Sequence, residues 1–76
     1  MNLPELDRIP DPDQVPTLSV YDAGRLAFGL GYTASYSAAR RGEIPTIRVG
    51  SRLFVPTAAL RRLVGLDDPQ FDEQPA

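Results

Sequence analysis

Between Gly29 and Pro56 the chain is cut into short lengths by residues that dictate backbone shape. Gly29 and Gly31 open this stretch, Gly42 and Pro45 interrupt it, and Gly50 and Pro56 close it. Proline removes a donor and breaks helices, while glycine ends them. Tyr32 to Arg41 therefore predicts a helix of about ten residues, with Gly42 as its stop. Thr46–Val49 and Leu53–Val55 alternate around Gly50-Ser51-Arg52 and predict a small hairpin. A short helix beside a protruding basic ribbon makes a pair of fingers suited to adjacent grooves of duplex DNA.

On a helical wheel, Ala34, Ser35, Ala38 and Ala39 share one side of this helix. Small residues there let it sit close to a neighbour. Tyr32, Thr33, Tyr36, Ser37 and Arg40 share the other side. An outer face of hydroxyls, aromatic rings and one guanidinium suits base edges and phosphates better than bulk water. The plainer alternative has Tyr36 packing on the hairpin and the rest as ordinary surface. For the hairpin, register argues for a three-residue loop, pairing Val49 with Leu53 and Ile47 with Val55 to make one apolar face. Arg48 then pairs with Phe54 on the outer face and Arg52 sits at the tip.

Upstream, Ser19 and Asp22 have the spacing of a capping box. Val20, Ala23, Ala27 and Leu30 follow at helical intervals, and Gly24 among them suggests close packing. Thr57 is expected to cap a third helix, ended by Gly65. Arg25, Arg61 and Arg62 read as solvated helix faces, with Arg25 placed to reach a phosphate. Residues 1–16 hold four prolines among scattered acids, which predicts an extended, poorly ordered arm pinned at Leu3, Leu6, Ile9 and Val15. Residues 67–76 read as a second acidic tail of the same kind, in which Phe71 is the residue able to dock.

The net charge of −2 averages unlike parts. Residues 1–16 set Arg8 against four acids, a net of −3; residues 17–66 set seven arginines against Asp22 and Glu43, a net of +5; residues 67–76 carry four acids and no base. A basic body between acidic tails points to an anionic partner. Every basic residue is arginine, which suits bidentate phosphate or guanine contacts and equally reflects a GC-rich genome. With no Cys and no His, disulfides and the usual zinc sites are excluded, and no Lys adds a further nucleophile. The carboxylates cluster in the tails, so catalysis is not expected, and neither is a cofactor. No stretch is apolar enough for a membrane span, and 76 residues allow one small domain. The chain reads as soluble and cytoplasmic.

Helix, tight turn, helix, Pro, hairpin, helix is the element order of a winged helix-turn-helix. Ser19-Val20, Asp22–Leu26, Gly29-Leu30-Gly31, Tyr36, Arg40–Pro45, Arg48–Leu53 and Val55–Leu60 together resemble the excisionase-type DNA-binding domains, relatives of the mercury-resistance-regulator winged helices. The resemblance covers about Thr17 to Leu66, and Arg-Arg-Gly-Glu-Ile-Pro followed by the Arg-Val-Gly hairpin is its most specific part. It implies a mainly α winged helix-turn-helix at 17–66 between acidic arms at 1–16 and 67–76. It also implies sequence-specific binding and bending of double-stranded DNA in a bacterial host cell, at the nucleoid, with the second helix in the major groove and the wing in the minor groove. Tyr32, Thr33, Tyr36, Ser37, Arg40, Arg41, Arg48 and Arg52 are the expected contacts. Many such proteins are phage excisionases that direct an integrase, or recombinase, toward excision; others are small transcriptional regulators. A domain of this size covers only a short site, so cooperative self-association on DNA or repeated binding is expected. A protein-interaction adaptor without DNA is the alternative from another class. The chain departs from the family pattern at Gly31, Tyr32 and Ser51, where a capping serine and two basic residues are common.

Overall fold

In the computed structural model, which describes residues 3–66, the first helix, α1 (Val20–Phe28), starts where Ser19 accepts a hydrogen bond from the Asp22 amide at 3.0 Å. This is the cap that the serine–acid spacing predicts. Val20, Ala23, Leu26 and Ala27 are buried along one stripe. The amides of Gly29 and Leu30 return to the carbonyls of Arg25 and Gly24 at 3.0 and 3.1 Å, closing the helix and turning the chain. The second helix, α2 (Tyr32–Arg40), follows at once and buries Ser35, Ala38 and Ala39. Ala34, expected on the inner side, is exposed instead.

The α1–α2 crossing depends on Gly24. A Cβ there would lie 2.6 Å from the Ser35 Cβ and 3.2 Å from its Cα, so glycine is what allows the two backbones to approach this closely. The buried Ser35 hydroxyl stays satisfied within its own helix, donating to the Gly31 carbonyl at 2.8 Å.

Past α2, Ile44 is 1% exposed and anchors the return of the chain into the core. The strands β1 (Thr17–Leu18), β2 (Ile47–Val49) and β3 (Arg52–Pro56) form one antiparallel sheet in the order β1-β3-β2. Strand β1 is an addition that sequence reading did not predict. The hairpin register also differs from expectation. Val49 pairs with Arg52, Arg48 with Leu53 and Ile47 with Phe54, so the loop is the two-residue Gly50-Ser51. The physical reason lies in both loop and core. Gly50 takes φ 65°, the positive angle that the favoured two-residue hairpin turns require at their first position. Of the two hairpin strands only β3 turns apolar side chains to the core: Val55 is fully buried, whereas Ile47 and Val49 are 45% and 60% exposed. The alternation in β2 thus does not record burial. Arg48 consequently stands opposite Leu53 rather than Phe54, and Arg52 begins β3 beside the turn rather than forming its tip.

The third helix, α3 (Thr57–Leu63), continues directly from β3. Its cap position is Pro56, and Thr57 is the first helical residue, without a capping hydrogen bond. The expectation that Thr57 caps the helix is corrected: its amide donates to the Pro16 carbonyl at 2.9 Å and its side chain is fully buried. Gly65 ends the helix as expected, its amide and that of Leu66 bonding Arg62 and Arg61 carbonyls at 3.1 and 2.8 Å.

The segment before β1 is packed against the body rather than extended away from it. A 3-10 turn at Leu6–Arg8, a Glu5 amide bonded to the Leu26 carbonyl at 2.7 Å and Ile9 at 4% exposure hold it there. Leu6 packs on the core, while Leu3 and Val15 are exposed. Arg61, expected to be solvated, reaches back to donate to the Ile9 and Pro10 carbonyls at 2.9 and 3.4 Å. Residues 67–76, with Phe71, lie outside the described residues. Among the described residues no helix is long and apolar enough to cross a membrane.

Candidate nucleic-acid interface

The arginines of this protein fall into two groups. Arg8 pairs with Glu5 at 3.7 Å, Arg25 with Asp22 at 3.3 Å and Arg41 with Glu43 at 2.9 Å, and Arg61 binds backbone carbonyls. Arg40, Arg48 and Arg52 have no carboxylate partner among the described residues, and all three line one cleft of about 520 Å³. Arg62 likewise has no carboxylate partner among the described residues, but it stands exposed on α3 and does not line the cleft.

The cleft lies between α2 and the hairpin. Helix α2 supplies Tyr36 and Arg40, one helical turn apart; the hairpin supplies Arg48, Ser51, Arg52 and Phe54. Pairing of β1 with β3 brings Thr17 and Ser19 to the same cleft. Because Arg52 and Phe54 alternate along β3, they share a face, and the guanidinium carbon sits 5.4 Å from the ring centroid. Three cations, with no acid of the described residues lining the cleft, are backed by half-buried Tyr36, Leu53 and Phe54 and focus a positive potential there. The Tyr36 phenol is held above its ordinary pKa by burial first, then by neighbouring Tyr32, with Arg52 pulling the other way. Tyr36 therefore stays protonated at neutral pH, able to donate and accept a hydrogen bond.

An aromatic row continues outward from the cleft. The rings of Tyr36 and Tyr32 lie 4.8 Å apart, and those of Tyr32 and Tyr21 5.7 Å apart. Arg25 stands 5.9 Å from the Tyr21 ring. Sequence reading did not single out Tyr21, although its spacing of four from Arg25 places the two on one face of α1.

Of the predicted contacts, Tyr36, Arg40, Arg48 and Arg52 come together in the cleft. Tyr32 stacks beside them, 63% exposed, and Thr33 is exposed on α2. Ser37 and Arg41 lie toward the opposite flank of α2. There they line an apolar groove of about 540 Å³ with Phe28, Leu30, Ala38 and Ile44. Arg41 is gripped by both Glu43 carboxylate oxygens, through Nε at 3.0 Å and a terminal nitrogen at 2.9 Å. That hydrogen bond first, and the opposite charge with it, raises the Arg41 pKa and lowers that of Glu43. Among the described residues no cluster of acids could hold a metal ion. Comparison with known protein families, curated proteins and solved structures finds no match for this chain.

Proposed function

We propose that this protein is a winged helix-turn-helix that binds and bends duplex DNA, most directly as an excisionase (recombination directionality factor) turning a phage integrase toward excision. The observation that carries the reading is the convergence of Arg40, Arg48 and Arg52, without a carboxylate partner among the described residues, on the cleft between α2 and the hairpin. Two elements flanking a cationic cleft can straddle a phosphate backbone, one in the major groove and one in the minor.

Tyr32, Thr33, Tyr36 and Arg40 then address the major groove from the cleft side of α2, with Ser37 on its other flank, while Arg48 and Arg52 reach the backbone or the minor groove from the wing. Arg41 joins them at a phosphate once it exchanges Glu43 for that partner. A nine-residue α2 is roughly 14 Å long and spans about four base pairs. So short a contact calls for repeated sites and cooperative binding with further copies, and with a recombinase. Exposed Ile47 and Val49 on the wing are apolar side chains of the kind that wedge between base steps and kink DNA. No catalysis or cofactor enters this reading. A small transcriptional regulator would use the same interface. A protein-interaction adaptor is favoured instead by the apolar groove at Leu30, Ala38 and Ile44.

Fluorescence resonance transfer on a doubly labelled duplex from the DNA flanking the protein's own gene tests the proposal. Saturable binding at low salt with a rise in end-to-end transfer is expected; absence of binding at low salt overturns it.

A further inference from the structure

We propose that residues 67–76 of this same chain dock in the arginine cleft and compete there with DNA. The cleft holds three cations without a carboxylate partner among the described residues. The segment that follows Leu66 carries Asp67, Asp68, Asp72 and Glu73, no base, and one aromatic residue, Phe71. Charge and ring chemistry are thus complementary: carboxylates for Arg40, Arg48 and Arg52, and a ring for the Tyr36 and Phe54 wall. The apolar groove on the other flank of α2 is a poorer match, because its one arginine is already held by Glu43 at 2.9 Å. Ten residues extend to at most about 33 Å, longer than two of the molecule's three principal dimensions, 30 and 25 Å.

Tethering makes weak docking effective. At about millimolar effective concentration, a segment with an intrinsic dissociation constant near 0.1 mM would leave about one cleft in ten open. The consequence for DNA rests on the proposed function; the docking itself does not.

The test uses the full chain and its lack of native cysteine. A nitroxide on Gln70→Cys should broaden the resonances of Tyr36, Arg40, Arg48 and Arg52 without any DNA, and about 0.5 M salt should abolish the effect. In the chain carrying Asp67→Asn, Asp68→Asn, Asp72→Asn and Glu73→Gln, the same label should leave the cleft sharp, and DNA should bind about tenfold more tightly. Broadening centred on Leu30 and Ile44, or spread evenly over the surface, overturns the proposal. Broadening in the cleft with no DNA binding by either chain upholds the docking and removes the DNA reading instead.

Discussion

The two flanks of α2 carry the same residue at adjacent positions and treat it in opposite ways. Arg40 faces a cleft where Arg48 and Arg52 join it and no acid of the described residues approaches. Arg41 faces an apolar groove and is clasped by Glu43 through two hydrogen bonds. The difference comes from chain geometry rather than composition. Gly42 turns the backbone after the helix and delivers Glu43 beside Arg41, while the hairpin rises on the other flank and brings only bases. Adjacent arginines on one helix would rate its flanks alike; locating their partners separates a surface with no acid of the described residues beside it from one already neutralised.

The comparison can be broken most forcefully at the cleft. Replacing Arg40, Arg48 and Arg52 together with alanine is expected to weaken DNA binding by about 100- to 1000-fold at ~0.1 M salt, with the melting temperature held within about 3 °C. Anisotropy titration and thermal melting measure the two; equal losses in both would make the arginines structural.

Next in size is a change to α1 where it crosses the helix that both flanks share. Gly24→Ala should destabilise the fold by about 1–3 kcal/mol in urea unfolding. The obstacle includes the Ser35 backbone at 3.2 Å, which outweighs the propensity gain of about 1 kcal/mol. Adding Ser35→Gly should recover part of the loss, and no recovery would show that the close crossing is not the cause.

A smaller effect separates gripping from bending. Ile47→Ser with Val49→Ser should change affinity by less than about threefold while reducing the bend by roughly 20° or more, read by resonance transfer on the same duplex. An unchanged bend removes the wedge role.

The smallest effect concerns the neutralised flank. Glu43→Gln releases Arg41 and should tighten DNA binding by no more than about threefold. The lowered Glu43 pKa fixes the sign of its pH dependence: the pair is intact above the ordinary carboxylate range and is lost as pH falls through the depressed value. Arg41 side-chain resonances should therefore stay constant as pH falls from neutral to the ordinary carboxylate range and move only as it falls further.

Much of this architecture was legible in the sequence because it is encoded locally. The Ser19–Asp22 cap, the breaks at Gly29, Gly42 and Gly65, the hairpin around Gly50, and the close packing at Gly24 each follow from residues a few positions apart. What escaped depends on distant partners. The two-residue strand β1 exists because β3 lies beside it. The proline-rich opening reads as an extended arm pinned only at its apolar residues, yet Arg61, far along the chain, binds its carbonyls. The hairpin register was misread because Ile47 and Val49 look like core residues and face solvent instead. The helical wheel grouped Ser37 with Tyr36 and Arg40, but only the hairpin's position reveals which flank becomes a cleft.

In the proposed function Arg40, Arg48 and Arg52, which have no carboxylate partner among the described residues, grip the phosphates of duplex DNA as one set. The dependence of the binding constant on salt tests it most directly. For about four to six phosphate contacts, log K should fall against log salt with a slope of about −4 to −5, and the triple alanine variant should be shallower by about 2–3. Equal slopes for the two proteins would contradict the claim, and so would the absence of any binding by the unsubstituted chain at low salt.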